Sequence, residues 1–159
     1  MILVSTTIVV ALFLYSQSQS ASVQLFFDND AYKPLVKLIE RAKKEILVQM
    51  YSFTHKNLMK ELEMAKQRGV DVRVIAEKQE DNDELFNARF PVRWEMSDKM
   101  FHRKLAVVDR HWIWLGSANW TYNGFEKNSE VNILISSFNE AQKIIARFEQ
   151  DWQHCRERK

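Results

Sequence analysis

The chain reads as an α/β sandwich, a mixed and largely parallel sheet flanked by helices. Three observations predict this fold class. Between residues 23 and 76, short β-prone runs alternate with stretches whose apolar residues recur at helical spacing, the pattern of βαβ units. After Pro91 the chain becomes a series of short strand-like runs closed by one amphipathic helix. The composition, 46% hydrophobic and 28% charged over 159 residues with three glycines and two prolines, suits one domain with a sizeable core. It excludes collagen-like chains, solenoid arrays and intrinsic disorder.

Residues 2–15 are an uncharged apolar run followed by Ser-Gln-Ser-Gln-Ser-Ala-Ser, and the first charged side chain is Asp28. Residues 1–22 therefore read as an export signal cleaved after Ser22. Without Lys or Arg ahead of the run, a membrane anchor or a buried first strand stands as the alternative. The expected location is exported: periplasmic, secreted or membrane-associated through residues 2–15. Residues 23–159 form the working domain.

Within it, Val23–Phe27 is β-prone, and Tyr32–Lys44 carries Leu35, Leu38, Ile39 and Ala42 on one helical face, with Pro34 tolerated in the first turn. Glu45–Ser52 is strand-like. Lys56–Arg68 places Leu58, Leu62 and Ala65 on one face and stops at Gly69, and Val70–Ala76 is a third strand. The acidic stretch Glu77–Glu84 lacks the spacing and glycine turn of a calcium loop and reads as solvated. Strands follow at Val92–Met96, Phe101–Asp109, Trp112–Gly116 and Glu130–Ser136, then a helix over Asn139–His154. There is no internal repeat. The single cysteine, Cys155, can neither close an internal disulfide nor build a Cys-rich zinc site.

A formal charge of +2 does not by itself identify a polyanion partner, so chemistry must be sought locally. In a strand, His102 and Lys104 lie two residues apart and share a face. A reversal about Arg110-His111 would set Lys104 opposite Ser117 and His102 opposite Asn119. Trp112 and Trp114 would then point to the other face and pack against helices. An ammonium and an amide offer donors to phosphate oxygens, and a neutral imidazole beside them can attack phosphorus or move a proton. The same residues would equally suit a solvated polar strand face.

The pattern His102-x-Lys104-x4-Asp109, followed by Gly116-Ser117-x-Asn119, resembles the HKD signature of the phospholipase D superfamily. The resemblance extends to Tyr51-Ser-Phe-Thr54, to Arg68–Ile75 and to Asn128-Ser-Glu130, and thus over most of residues 23–154. It implies an α/β sandwich with the catalytic set at the sheet edge. It implies His102 as the nucleophile forming a phosphohistidine, Lys104 and Asn119 holding the phosphoryl oxygens, and Ser117 adding a hydrogen bond there. Asp109 enters as motif support. Glu130 matches the acidic residue that orients the imidazole, with Glu126 as the weaker rival.

One motif per chain implies a homodimer with its active site across the two-fold axis, as in the single-motif bacterial endonucleases the chain resembles. No metal or other cofactor is demanded, so activity is expected in excess chelator. Phe101, Arg103, Trp120, Tyr122 and Lys127 are the candidate contacts to a single-stranded nucleic acid, DNA or RNA. The alternatives are a membrane-associated phosphodiesterase acting on a cardiolipin-type lipid and a nucleic-acid-binding module without turnover.

Overall fold

The computed structural model describes residues 21–78 and 82–157; the apolar run over residues 2–15 lies outside them. Seven strands form one sheet in the order β1-β7-β6-β5-β2-β3-β4. They are β1 (Ser22–Phe27), β2 (Glu45–Met50), β3 (Asp71–Glu77), β4 (Val92–Glu95), β5 (Lys104–Val108), β6 (Trp112–Gly116) and β7 (Val131–Ser136). Among the described residues, four α-helices accompany them: α1 (Tyr32–Arg41), α2 (Lys56–Gln67), the short α3 (Tyr122–Glu126) and α4 (Phe138–His154).

The expected α/β sandwich is what forms, with a difference in strand direction. β2 and β3, joined by the α2 crossover that the periodicity predicts, pair in parallel, as do β3 and β4, while the other four pairings are antiparallel. For the β5–β6 pair the physical reason is connection length. Strands β5 and β6 are linked by three residues, too few for the crossover that a parallel pair needs.

Alternation along the central strands sends side chains into two cores. Ile46, Val48 and Met50 of β2 join Leu35 and Ile39 of α1, Leu58 and Leu62 of α2 and Phe125 of α3. Leu47, Ile75, Val107 and Ile113 meet Ala141, Ile145 and Phe148 of α4 on the other face. Each fully buried Leu, Ile or Phe contributes about 1.5–3 kcal/mol relative to exposure. Helix α2 begins at His55, whose Nδ1 accepts from Leu58 N at 3.4 Å, and ends at Gly69, where φ is +92°.

Polar contacts then fix α4 to the sheet. Asp151, buried, accepts from Arg103, from Arg147 Nε at 2.9 Å and from Gln49 Nε2 at 3.4 Å. Arg73 makes a two-pronged pair with Glu149 at 3.0 and 2.8 Å. After α4, Arg156 forms an isolated antiparallel bridge to Trp94, closing the β4 edge with two backbone hydrogen bonds of 2.8 and 3.1 Å. At the opposite edge β1 leaves Val23, Leu25 and Phe27 close to 60% exposed. Among the described residues, no helix is long and apolar enough to cross a membrane.

Candidate active site

The reversal between β5 and β6 uses three residues, Asp109 to His111, and pairs Val108 with Trp112 and Ala106 with Trp114. This differs by one residue from the register expected for a turn centred on Arg110-His111. Asp109 and Arg110 both adopt left-handed φ, 51° and 61°. The slip has the consequence such slips always have. Trp112 and Trp114 share the sheet face of Ala106 and Val108, so they lie on the face of Lys104 rather than the opposite one. Trp114 is buried as expected, stacked on Phe26 at 5.4 Å.

Asp109 holds the far end of β5. Its carboxylate accepts from the backbone N–H groups of Lys43 (3.1 and 3.0 Å), Lys44 (2.7 Å) and Glu45 (3.2 Å). This carboxylate ties the α1–β2 loop to the end of β5 remote from His102 and Lys104.

At the near end of β5, His102 and Lys104 meet over one ring. The His102 imidazole lies 4.6 Å from the Tyr51 ring centroid, and Lys104 Nζ sits 4.9 Å above the same ring. Lys104 Nζ also donates to His102 O at 3.3 Å. Strand β5 starts only at Lys104 because the preceding backbone is engaged elsewhere: Phe101 N donates to Glu77 Oε2 at 2.6 Å and His102 N to Met100 O at 3.1 Å. The imidazole itself is exposed.

Ser117 and Glu130 complete this end of the sheet. Ser117 Oγ donates to Glu130 Oε2 and accepts from Val131 N at 3.1 Å, while Asn128 Nδ2 donates to Glu130 Oε1 at 3.1 Å. Glu130 is therefore held by Ser117 and Asn128 and, among the described residues, is not bonded to His102. Its backbone is tied to Asp28 in both directions at 2.9 Å. Glu126, the rival candidate, belongs to a different neighbourhood, where its charge acts on His55.

Asn119 is placed by a close packing of backbones. A Cβ at Gly124 would collide with Asn119 O, so only glycine lets α3 pack there. The Asn119 Oδ1 is buried without a hydrogen-bond partner among the described residues. The adjacent Trp120 O accepts from Thr54 N at 3.0 Å and His55 N at 2.9 Å, binding this loop to the Tyr51–Thr54 segment.

Of the five candidate substrate contacts, three are otherwise engaged. Phe101 and Trp120 are 5% and 1% exposed, and Trp120 packs edge-on against Phe53, so neither offers a face for stacking. Arg103 covers Phe101 at 4.8 Å and pairs with buried Asp151 on the α4 side. Tyr122, 59% exposed, and Lys127, whose Nζ is 5.9 Å above that ring, remain at the surface. Sequence reasoning missed Tyr51 and Asn128 as organisers, although both lie in segments that carry the resemblance. It also missed Glu77 and Asn82 in the stretch read as solvated: both are buried, and Asn82 bonds Tyr51 O, Glu77 O and Phe53 N. Among the described residues, no group of three or more His, Cys, Asp or Glu side chains could hold a metal ion.

Comparisons with known proteins bear on the family and the fold. Residues 35–152 match the family described as cardiolipin synthase, PLD-like domain. The mitochondrial cardiolipin hydrolase of Xenopus tropicalis is 32% identical over 151 residues, 88% of this chain and 69% of that protein. A cardiolipin synthase of Geobacillus thermodenitrificans is 30% identical over 129 residues, 74% of this chain but only 26% of that protein. Among solved structures, the phospholipase D family member Nuc from Salmonella typhimurium superposes with a TM-score of 0.81 at 27% identity, covering 88% of this chain and 99% of that one. NucT from Helicobacter pylori follows the same fold, with a TM-score of 0.74 at 24% identity over 86% of this chain.

Proposed function

Because the chain belongs to the PLD-like domain family of the phospholipase D superfamily, and is thus a phosphodiesterase, we propose that it is an endonuclease cutting single-stranded nucleic acid without a metal. In this reading His102 attacks phosphorus, a bond forms from its ring nitrogen to phosphorus, and the bond to the leaving oxygen breaks. Lys104 and the Asn119 amide stabilise the charge that builds on the non-bridging oxygens. Water then hydrolyses the phosphohistidine and returns the imidazole.

Glu130, clamped by Ser117 and Asn128, acts as a positioning residue that fixes the imidazole once substrate draws the ring toward it. Since one chain brings one motif, a second copy supplies the proton donor for the leaving oxygen: the partner's His102 across a two-fold axis.

The observation that carries the substrate assignment is the exposed Tyr122 ring with Lys127 above it, one loop away from Asn119. A ring that can stack on any base, beside a cation for the backbone, suits a single strand. The lipid reading has its own support in the names of its relatives, the cardiolipin hydrolases and synthases. The apolar run over residues 2–15 supports an exported or membrane-associated location.

The test incubates purified protein in EDTA with end-labelled single-stranded DNA, duplex DNA, RNA and cardiolipin vesicles and compares initial rates. Single-stranded nucleic acid should be cut fastest, and His102→Ala should lower that rate by at least about a thousandfold. A higher rate on cardiolipin would replace the substrate assignment. Loss of cleavage in EDTA with recovery on adding a divalent ion would overturn the metal-free mechanism.

A further inference from the structure

The two ends of the sheet differ in character. His102, Lys104, Ser117 and Glu130 gather at one end. At the other, the register Ser22↔Ser136↔Trp112↔Val108↔Ile46 runs straight across five strands. The five residues of β5, at about 3.3 Å each, separate the two ends by roughly 17 Å.

This second end carries a cavity of about 340 Å³ between α1 and the sheet. Its floor is apolar and half-buried, formed by Phe26, Leu38, Trp112 and Leu134, and its rim is Lys37 and Arg41, one helical turn apart. Asp109 also lines it, but its carboxylate is saturated by the backbone N–H groups of residues 43–45. Lys43 and Lys44 add two exposed cations beside the rim. Among the described residues, none of these four basic side chains makes an ion pair. The first residue of β1, Ser22, also lies at this end, opposite Ser136.

We propose that this end is a docking face for an anionic lipid bilayer, with Lys37, Arg41, Lys43 and Lys44 on headgroup phosphates and the cavity receiving apolar lipid atoms. Charge complementarity supports it: clustered basic side chains strengthen binding to an anionic surface by roughly fivefold each. An apolar groove beside them allows shallow insertion. A corollary, resting on the catalytic assignment above, is that the His102 end faces water, so the substrate arrives from solution and not from the docked bilayer.

Two measurements test this. Vesicle flotation compares the full chain on phosphatidylcholine with and without phosphatidylglycerol. The wild type should prefer the anionic vesicles, and Lys37→Glu with Arg41→Glu should weaken that binding at least roughly twentyfold. Hydrolysis of bis(p-nitrophenyl) phosphate should be unchanged by the pair. Equal binding of the wild type to both vesicles, or retained preference in the variant, overturns the proposal. Weakened oligonucleotide binding with intact flotation would do the same, by assigning the cations to nucleic acid.

Depth is read by spin labels at Lys43→Cys and at Met100→Cys, a position 66% exposed at the His102 end. The native Cys155 is buried and its thiol is pushed up to about 12 by that burial, so it stays unlabelled. The Lys43 label should lie at headgroup depth and the Met100 label in water; the reverse order overturns the orientation. Docking as described, without cleavage of any oligonucleotide, would remove the substrate assignment and leave the docking face standing.

Discussion

At the scale of single residues, the site is organised by side chains that do no chemistry themselves. Tyr51 brings the His102 ring and the Lys104 ammonium to one place, and Ser117 commits its hydroxyl to Glu130. The substrate assignment makes a clear demand on Tyr122. Tyr122→Ala should raise KM for a single-stranded oligonucleotide about tenfold, the loss of one stacked base at roughly 1–3 kcal/mol. Turnover of bis(p-nitrophenyl) phosphate, which has no bases, should not change; an unaltered oligonucleotide KM would remove Tyr122 from the substrate path. A second prediction concerns His55, packed at 5.0 Å on Tyr32 and at 5.9 Å on Phe125. Burial pushes its imidazole below the ordinary value of 6.5, outweighing its backbone hydrogen bond and the charge of Glu126. The unfolded chain thus takes up a proton at higher pH than the folded one, and stability falls as pH drops through 6.5 toward the lowered folded value. His55→Asn keeps an acceptor at the start of α2 and should flatten this dependence in thermal unfolding between about pH 8 and pH 5.

At the scale of elements, α3 is a five-residue helix whose first turn packs against the backbone of Asn119. Thr121 Oγ1 accepts from Gly124 N at 3.0 Å, starting the helix, and the bare Cα of Gly124 then sits against Asn119 O. Gly124→Ala must push that carbonyl aside. It should cut kcat by about tenfold or more with little change in KM, because the displaced amide is needed most when charge develops. A variant of unaltered kcat would mean that the loop tolerates the shift. The same scale shows what the sequence discloses. Trp112–Gly116 is bounded as its alternation indicates, and α1, α2 and α4 differ from expectation only at their ends. The register of β5 on β6 was not legible, because the turn rests on left-handed Asp109 and Arg110, with no glycine to announce it. What stabilises that turn region is a carboxylate contact with residues more than sixty positions away, which no local pattern encodes. The burial of Phe101 and Trp120 was hidden for a related reason: their hydrophobicity suits both a core and a stacking surface, and only tertiary packing decides.

At the scale of the whole molecule, the motif residues lie where two copies would have to meet if one site is shared. Mixing wild-type chains with His102→Ala chains tests this directly. If both imidazoles serve one phosphate, an equal mixture allowed to exchange subunits should retain about a quarter of the wild-type activity, from the fraction of all-wild-type dimers. Retention of half would show that each protomer works alone. The broad architecture was readable because hydrophobic periodicity reports burial, and burial of two sheet faces leaves few ways to arrange seven strands. Which loops share each end of the sheet was not readable, since that depends on strand order.

The bridge between Arg156 and Trp94 has a consequence for assembly at high concentration. With β4 bridged at Trp94 by the chain's own tail, β1 is, among the described residues, the sheet edge left unpaired. Two molecules joined strand to strand at β1 would mask that edge in each other.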